Sequence, residues 1–189
     1  MTIVTNRGFT IWFTGLSGAG KTTIARLLEA RLQSAGAEVE LLDGDEIRTH
    51  LSRDLGYTRE DRIENVRRIG YVSKALSRHG VIAIVAAISP FRATRAEVRL
   101  ASGIFVEVYV RCPLEVLIQR DTKGLYRRAL DGEVPNFTGI SDPYEIPDSP
   151  DLTIDSSTES PSDSADRVWD MLVLRALIDR SDADRNPSP

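Results

Sequence analysis

Residues 15–22, GLSGAGKT, constrain this chain more than any other stretch. They fit the pattern G-x-x-x-x-G-K-[ST], and their flanks suit it. Before them FTIWFT (9–14) reads as a buried strand. After them, Thr22 to about Ala35 reads as a helix, with Ile24, Leu27, Leu28 and Leu32 at helical spacing. Glycines in such a turn let backbone N–H groups converge on phosphate oxygens, and the helix N-terminus adds partial positive charge. Gly15, Leu16, Ser17, Gly18, Ala19, Gly20, Lys21, Thr22 and Thr23 are therefore the candidate nucleotide cradle. Within it Lys21 is placed to reach the β- and γ-phosphates, and the Thr22 hydroxyl to meet Mg²⁺.

The rest of the chain repeats the alternation. VELL is a second strand, VIAIVAAI (81–88) a third, IFVEVYV (104–110) a fourth and DLTID (151–155) a short fifth, with a closing helix over 165–178. Continuous apolar strands alternating with helices imply an α/β fold of three layers, the P-loop NTPase type: a mostly parallel sheet of about five strands covered on both faces. A length of 189 residues fits one domain, read as 9–178 between flexible ends at 1–8 and 179–189. Residues 120–150, rich in Pro and Gly, break the rhythm and read as a lid with little regular structure. Their aromatics, Tyr126, Phe137 and Tyr144, argue against disorder.

A net charge of −4 leaves no basic stripe for nucleic acid, so any bound anion must be captured by local groups. Cys112 is the only cysteine, which fits a reducing compartment. With no secretory signal and no apolar run of about 18 residues, the reading is cytoplasmic, away from the membrane.

The acids raise the question of chemistry. The most apolar strand, 81–88, ends in ISPF without a carboxylate, whereas LLDGDEIR (41–48) puts Asp43 and Asp45 at a strand end. In an open parallel sheet those ends line the ligand crevice. One carboxylate there can take a proton from an attacking hydroxyl, and the other can organise metal or water. Asp43 is the candidate base, and Asp45 either a metal-side group or the N-cap of the next helix. Farther on, Arg62 and Asn65 fall on the same helical face as Val66, Ile69, Val72 and Leu76. Polar groups heading an apolar stripe suggest an anion site, although Arg62 reaching out to water is the plainer alternative.

Taken together, GLSGAGKTT, DGDEIR, LGYTREDRIENVRRI, ISPFRATR, RDTKGLY and NFTGISDPYEIP resemble adenylylsulfate kinase, in that order and spacing, over about residues 9–178. The resemblance implies transfer of the ATP γ-phosphate, with Mg²⁺, to the 3′-hydroxyl of adenosine 5′-phosphosulfate (APS), by a cytoplasmic homodimer. It implies Asp43 as base, Arg48, Arg62 and Asn65 on the phosphosulfate end, and Tyr57 with Phe137 sandwiching the acceptor adenine. Ile88 and Ser89 would line the acceptor pocket, Lys123 and Leu125 would begin the lid, and Arg120 would lie against the ATP adenine. The matching serine is sometimes described as a phosphorylated intermediate. Its local alternative is a turn serine capping the following helix, and in-line transfer needs no covalent step. Tyr57 stands where the family usually has Phe, and RDT where RDP is common.

Three other readings stay open on the residues alone. One is a kinase of another anionic acceptor, such as a nucleoside monophosphate or gluconate. Another is a GTP-hydrolysing switch, disfavoured because the chain has no N-K-x-D motif. The third is a binding domain without catalysis, disfavoured by intact Lys21, Thr22 and Asp43.

Overall fold

A computed structural model of the chain describes residues 7–179, so the expected flexible ends lie almost wholly outside the described residues. Five strands form one parallel sheet in the order β2-β3-β1-β4-β5. They are β1 (Thr10–Thr14), β2 (Val39–Asp43), β3 (Ile82–Ala86), β4 (Phe105–Arg111) and β5 (Leu152–Asp155). Seven helices join and follow them: α1 (Lys21–Ser34), α2 (Gly44–His50), α3 (Arg59–Arg78), α4 (Arg92–Ala101), α5 (Leu114–Arg120), α6 (Leu125–Leu130) and α7 (Pro161–Leu174).

Side-chain alternation along β1 explains the layers. Ile11 and Phe13 point to one face, where they join Ile24, Leu28 and Leu32 of α1 and Val168, Trp169 and Leu172 of α7. Trp12 points to the other face and meets Val85 and Leu42 of the sheet, Val66 and Ile69 of α3, and Val98 of α4. Helices α3 and α4 approach closely because position 70 is glycine: a Cβ there would sit 2.7 Å from a Val98 methyl.

The strands, their order of type and the layers agree with the sequence reading. Two local expectations do not. The closing helix begins at Pro161, four residues early, where the Ser160 side chain caps it by accepting from the Asp163 N–H. Helix α3 likewise begins under a Thr58–Asp61 capping box. The lid is more regular than expected, since it contains α6. The Asp121 carboxylate accepts the N–H groups of Tyr126 and Arg127, and Gly124 takes the left-handed conformation that starts the turn.

Candidate active site

The C-terminal ends of β1, β2 and β3 open on one cavity of about 580 Å³. Register puts Asp43 beside Ala86, and Ala86 beside Phe13, so the phosphate loop, the first acid and the ISPF turn share one rim. Gly15, at φ 148°, lies so close to β4 that a Cβ would meet the Val110 carbonyl at 2.3 Å. Gly20 caps α1 with no side-chain bond, which leaves the first N–H groups of that helix for a ligand.

Lys21 is buried, and its ammonium donates to the carbonyls of Gly15 (2.9 Å) and Leu16 (2.7 Å). Burial lowers its pKa from 10.5 to about 8, against the pull of the Asp45 and Asp43 carboxylates. The Thr22 hydroxyl donates to Asp43 Oδ2 at 2.7 Å. Asp43 Oδ1 accepts the N–H groups of Asp45 (2.9 Å) and Glu46 (3.4 Å). The cap of α2 is therefore Asp43, and the capping role considered for Asp45 is corrected. The strand runs through Asp43 and the helix begins at Gly44, so only Asp43 sits at the cap. Asp45 stands exposed and pairs with Lys123 at 2.5 Å.

Arg62 and Asn65 are each 8% exposed and line the cavity with Val66. Arg62 does not reach out to water. It donates to the carbonyls of Tyr57 (3.1 Å) and Asn136 and lies 3.8 Å from the Asp142 carboxylate. The Asn65 Oδ1 is buried without a partner. Arg48 donates to the Gly56 carbonyl and lies 4.8 Å over the Tyr57 ring, with Arg62 at 5.5 Å. Two guanidinium groups thus hold a half-exposed aromatic at the cavity edge.

Of the expected site residues, Ser17, Gly18, Gly20, Lys21, Thr22, Thr23, Asp43, Asp45, Arg48, Tyr57, Arg62, Asn65, Ile88, Ser89 and Lys123 line this cavity. Gly15, Leu16 and Ala19 stand behind them as loop scaffold. Arg120 and Leu125 instead line a small adjoining recess with Ser17, Gly18 and Tyr126. There Arg120 donates to the Ser156 carbonyl at 3.1 Å. Phe137 is not on the cavity. It packs edge-on against Tyr126 with ring centroids 5.1 Å apart, buried in the main core, so the expected sandwich with Tyr57 is not formed in this arrangement. Ser89 does not cap α4, whose N-cap is Phe91 without a side-chain bond. Its hydroxyl accepts the Trp12 indole N–H at 3.0 Å, and its φ is 48°.

Three contributors escaped the sequence reading. Gly44 lets β2 turn tightly against β3, since a Cβ there would lie 3.2 Å from the Ala86 carbonyl; the signal was the glycine inside DGD. The Tyr126 hydroxyl donates to the Ser17 carbonyl at 2.8 Å and so ties the lid helix to the phosphate loop. Arg95, which donates to the Ser89 carbonyl, is the last residue of ISPFRATR, a motif to which the sequence reading gave no role beyond Ile88 and Ser89.

The chemistry of the donors fits a magnesium nucleotide. Among the described residues no cluster of three His, Cys, Asp or Glu forms a metal cage. Mg²⁺ carried on phosphates needs only one or two protein oxygens, and the Thr22 hydroxyl beside Asp43, with Asp45 nearby, offers that set.

The chain is similar to known proteins. Residues 7–155 match the family described as adenylylsulphate kinase. An adenylyl-sulfate kinase of Myxococcus xanthus is 57% identical over 93% of this chain and 97% of its own. One from Chloroflexus aurantiacus is 62% identical over 80% and 82%. The structure of the Mycobacterium tuberculosis APS kinase CysC in complex with AMPPNP and APS superposes with a TM-score of 0.84 at 44% identity, covering 88% of this chain and 98% of that one. Shikimate kinase from Aquifex aeolicus, 16% identical at a TM-score of 0.51 over 89% of this chain and 98% of its own, shares the fold alone. On its sequence and its structure, the chain belongs to the adenylylsulphate kinase family.

Proposed function

We propose that this protein transfers the γ-phosphate of ATP to the 3′-hydroxyl of APS, giving 3′-phosphoadenosine 5′-phosphosulfate. The observation that carries the reading is one cavity holding both a phosphate loop with its Thr22–Asp43 pair and a buried Arg62–Asn65 pair. A water-hydrolysing switch has no use for the second pair.

In this reading Lys21 leaves the Gly15 and Leu16 carbonyls for the β- and γ-phosphates, and the loop N–H groups hold the rest of the chain of phosphates. Asp43 accepts the 3′-hydroxyl proton as the oxygen attacks phosphorus in line. Bound Mg²⁺ would neutralise developing charge on the phosphates, held by Thr22 with Asp45 on its outer side. Arg48, Arg62 and Asn65 bind the phosphosulfate, the asparagine through its amide N–H groups, because the oxygens of that anion only accept. Tyr57 stacks on the acceptor adenine, and Phe137 reaches its other face only when the lid turns it off Tyr126. Ile88 shapes the pocket wall. Lys123 exchanges Asp45 for the substrate as the lid closes, with Leu125 behind it, and Arg120 flanks the nucleotide base. Ser89 offers its hydroxyl proton to the acceptor. Trp12 already occupies one of its lone pairs, and among the described residues no carboxylate or imidazole is hydrogen-bonded to it, which supports direct transfer over a phosphoserine.

No helix among the described residues is long and apolar enough to cross a membrane. A buried lone Cys112 suits a reducing cytoplasm, and we read the protein as a cytoplasmic homodimer. The test is ADP release from Mg·ATP with APS, adenosine 5′-phosphate or gluconate as acceptor. Only APS should stimulate strongly, and equal stimulation by the other two would reassign the acceptor.

The lysine gives a second expectation. Above pH 8 the free site holds a neutral Lys21, and a bound polyphosphate favours the ammonium. Nucleotide binding at about pH 9 should take up a proton, and affinity should fall as pH rises further. Calorimetric titration of Mg²⁺ and a non-hydrolysable ATP analogue in two buffers of different ionisation enthalpy reads this directly. Identical enthalpies would contradict it.

A further inference from the structure

Arg95 is 3% exposed and does not line the cavity, yet its guanidinium joins one residue of the wall, Ser89, to two segments behind it. Nη1 donates to the Ser89 carbonyl, Nη2 to the Glu145 carbonyl at 2.7 Å, and Nε to Glu107 Oε1 at 2.8 Å. Each partner matters differently.

Ser89 lines the cavity at φ 48°, a conformation that costs an L-residue on the order of 1 kcal/mol or more and persists only where neighbours enforce it. Three neighbours hold it here: Arg95 on the carbonyl, the Thr14 hydroxyl on the same carbonyl at the longer distance of 3.5 Å, and the Trp12 indole on the hydroxyl. Glu145 is where the lid returns to the sheet. Its N–H donates to the Pro90 carbonyl at 2.8 Å, and its carboxylate accepts the Arg92 N–H at 2.8 Å. Beside it, the Tyr144 and Thr14 hydroxyls bond at 2.8 Å. Glu107 of β4 is nearly buried and orients Arg95, while Arg99 shares its second oxygen at 3.3 Å and reaches Asp151 at 2.8 Å. None of the three acceptors of Arg95 belongs to residues 15–23.

We propose that Arg95 is the positioning residue of the acceptor site. It holds Ser89 in its left-handed conformation and ties the returning end of the lid to that same turn, so that it governs binding of the sulfonucleotide acceptor and not of ATP. This deepens the functional reading above and rests on it. Arginine is required because one planar fork spans three acceptors in fixed directions. A lysine ammonium keeps the charge beside Glu107 but cannot reach both carbonyls.

The test is steady-state kinetics of the full chain, varying APS and ATP separately. Arg95→Lys should raise KM for APS about 10- to 100-fold, as expected when a binding wall shifts by about an ångström, and leave KM for ATP within about twofold. Glu107→Gln, which keeps all three acceptors but loosens the arginine, should raise KM for APS selectively and by less. An Arg95→Lys protein with wild-type KM for APS overturns the assignment, and so does one in which both KM values rise alike. If Arg95→Lys melts without cooperativity, Glu107→Gln decides: a selective rise supports the proposal, and no change overturns it. A wild-type protein whose turnover ignores APS has a different signature and overturns the functional reading itself.

Discussion

Asp43→Ala should lose about 10²- to 10⁴-fold in phosphoryl transfer, the range for removing a positioned general base, while ATP binding changes little. The residue has a second job, because its Oδ1 caps α2. Loss of a cap costs about 1 kcal/mol, so alanine mixes a catalytic and a structural defect. Asp43→Asn separates them. An amide oxygen still accepts from the Asp45 and Glu46 N–H groups, but an amide cannot take a proton from the acceptor. The asparagine protein should melt like the wild type and be as inactive as the alanine one. Turnover near normal in either variant would move the base to Asp45, whose exposed carboxylate pairs with Lys123.

Lys21→Met carries the other large effect. Its transfer should fall about 10²- to 10³-fold, comparable to losing one preorganised donor to developing charge. Stability should move the opposite way. A buried lysine held at about pH 8 instead of 10.5 costs the fold on the order of 3 kcal/mol at neutral pH. Its folded pKa is depressed, so that cost is fully present below pH 8 and fades as pH rises toward 10.5. Methionine removes the cost and gives up two bonds to loop carbonyls. Thermal melting at pH 7 should therefore place Lys21→Met at or above the wild type, and a clear drop would show that Lys21 serves the fold more than the ligand.

Much of this was legible because it is periodic or local. Strand β1, the phosphate loop and α1 follow from apolar runs and glycine placement. The burial of Arg62 and Asn65 follows from their spacing to Val66 and Ile69 on α3. The choice between Asp43 and Asp45 as cap was not legible. Both are good caps, two residues apart, and whether the helix begins at Gly44 or at Glu46 decides between them. Helix α6 escaped because its N-cap is Gly124, which reads as loop, and the carboxylate that accepts its first N–H groups, Asp121, lies upstream of that glycine. Phe137 was misplaced because an aromatic in a lid can serve the substrate or the core, and only the tertiary contact with Tyr126 distinguishes them. The role of Arg95, although the residue ends the quoted ISPFRATR, was not legible for a more basic reason. Its partners lie 6, 12 and 50 residues away, and only the parallel sheet with its long return brings them to one guanidinium.

The measurement that bears most directly on the account is the identity of the nucleotide formed from APS and Mg·ATP by the wild-type protein. Chromatography against authentic standards, with phosphorus NMR to locate the new phosphate, should show 3′-phosphoadenosine 5′-phosphosulfate forming one-for-one with ADP. ADP released without a phosphorylated sulfonucleotide, or a phosphate carried anywhere but the 3′ position, would contradict it.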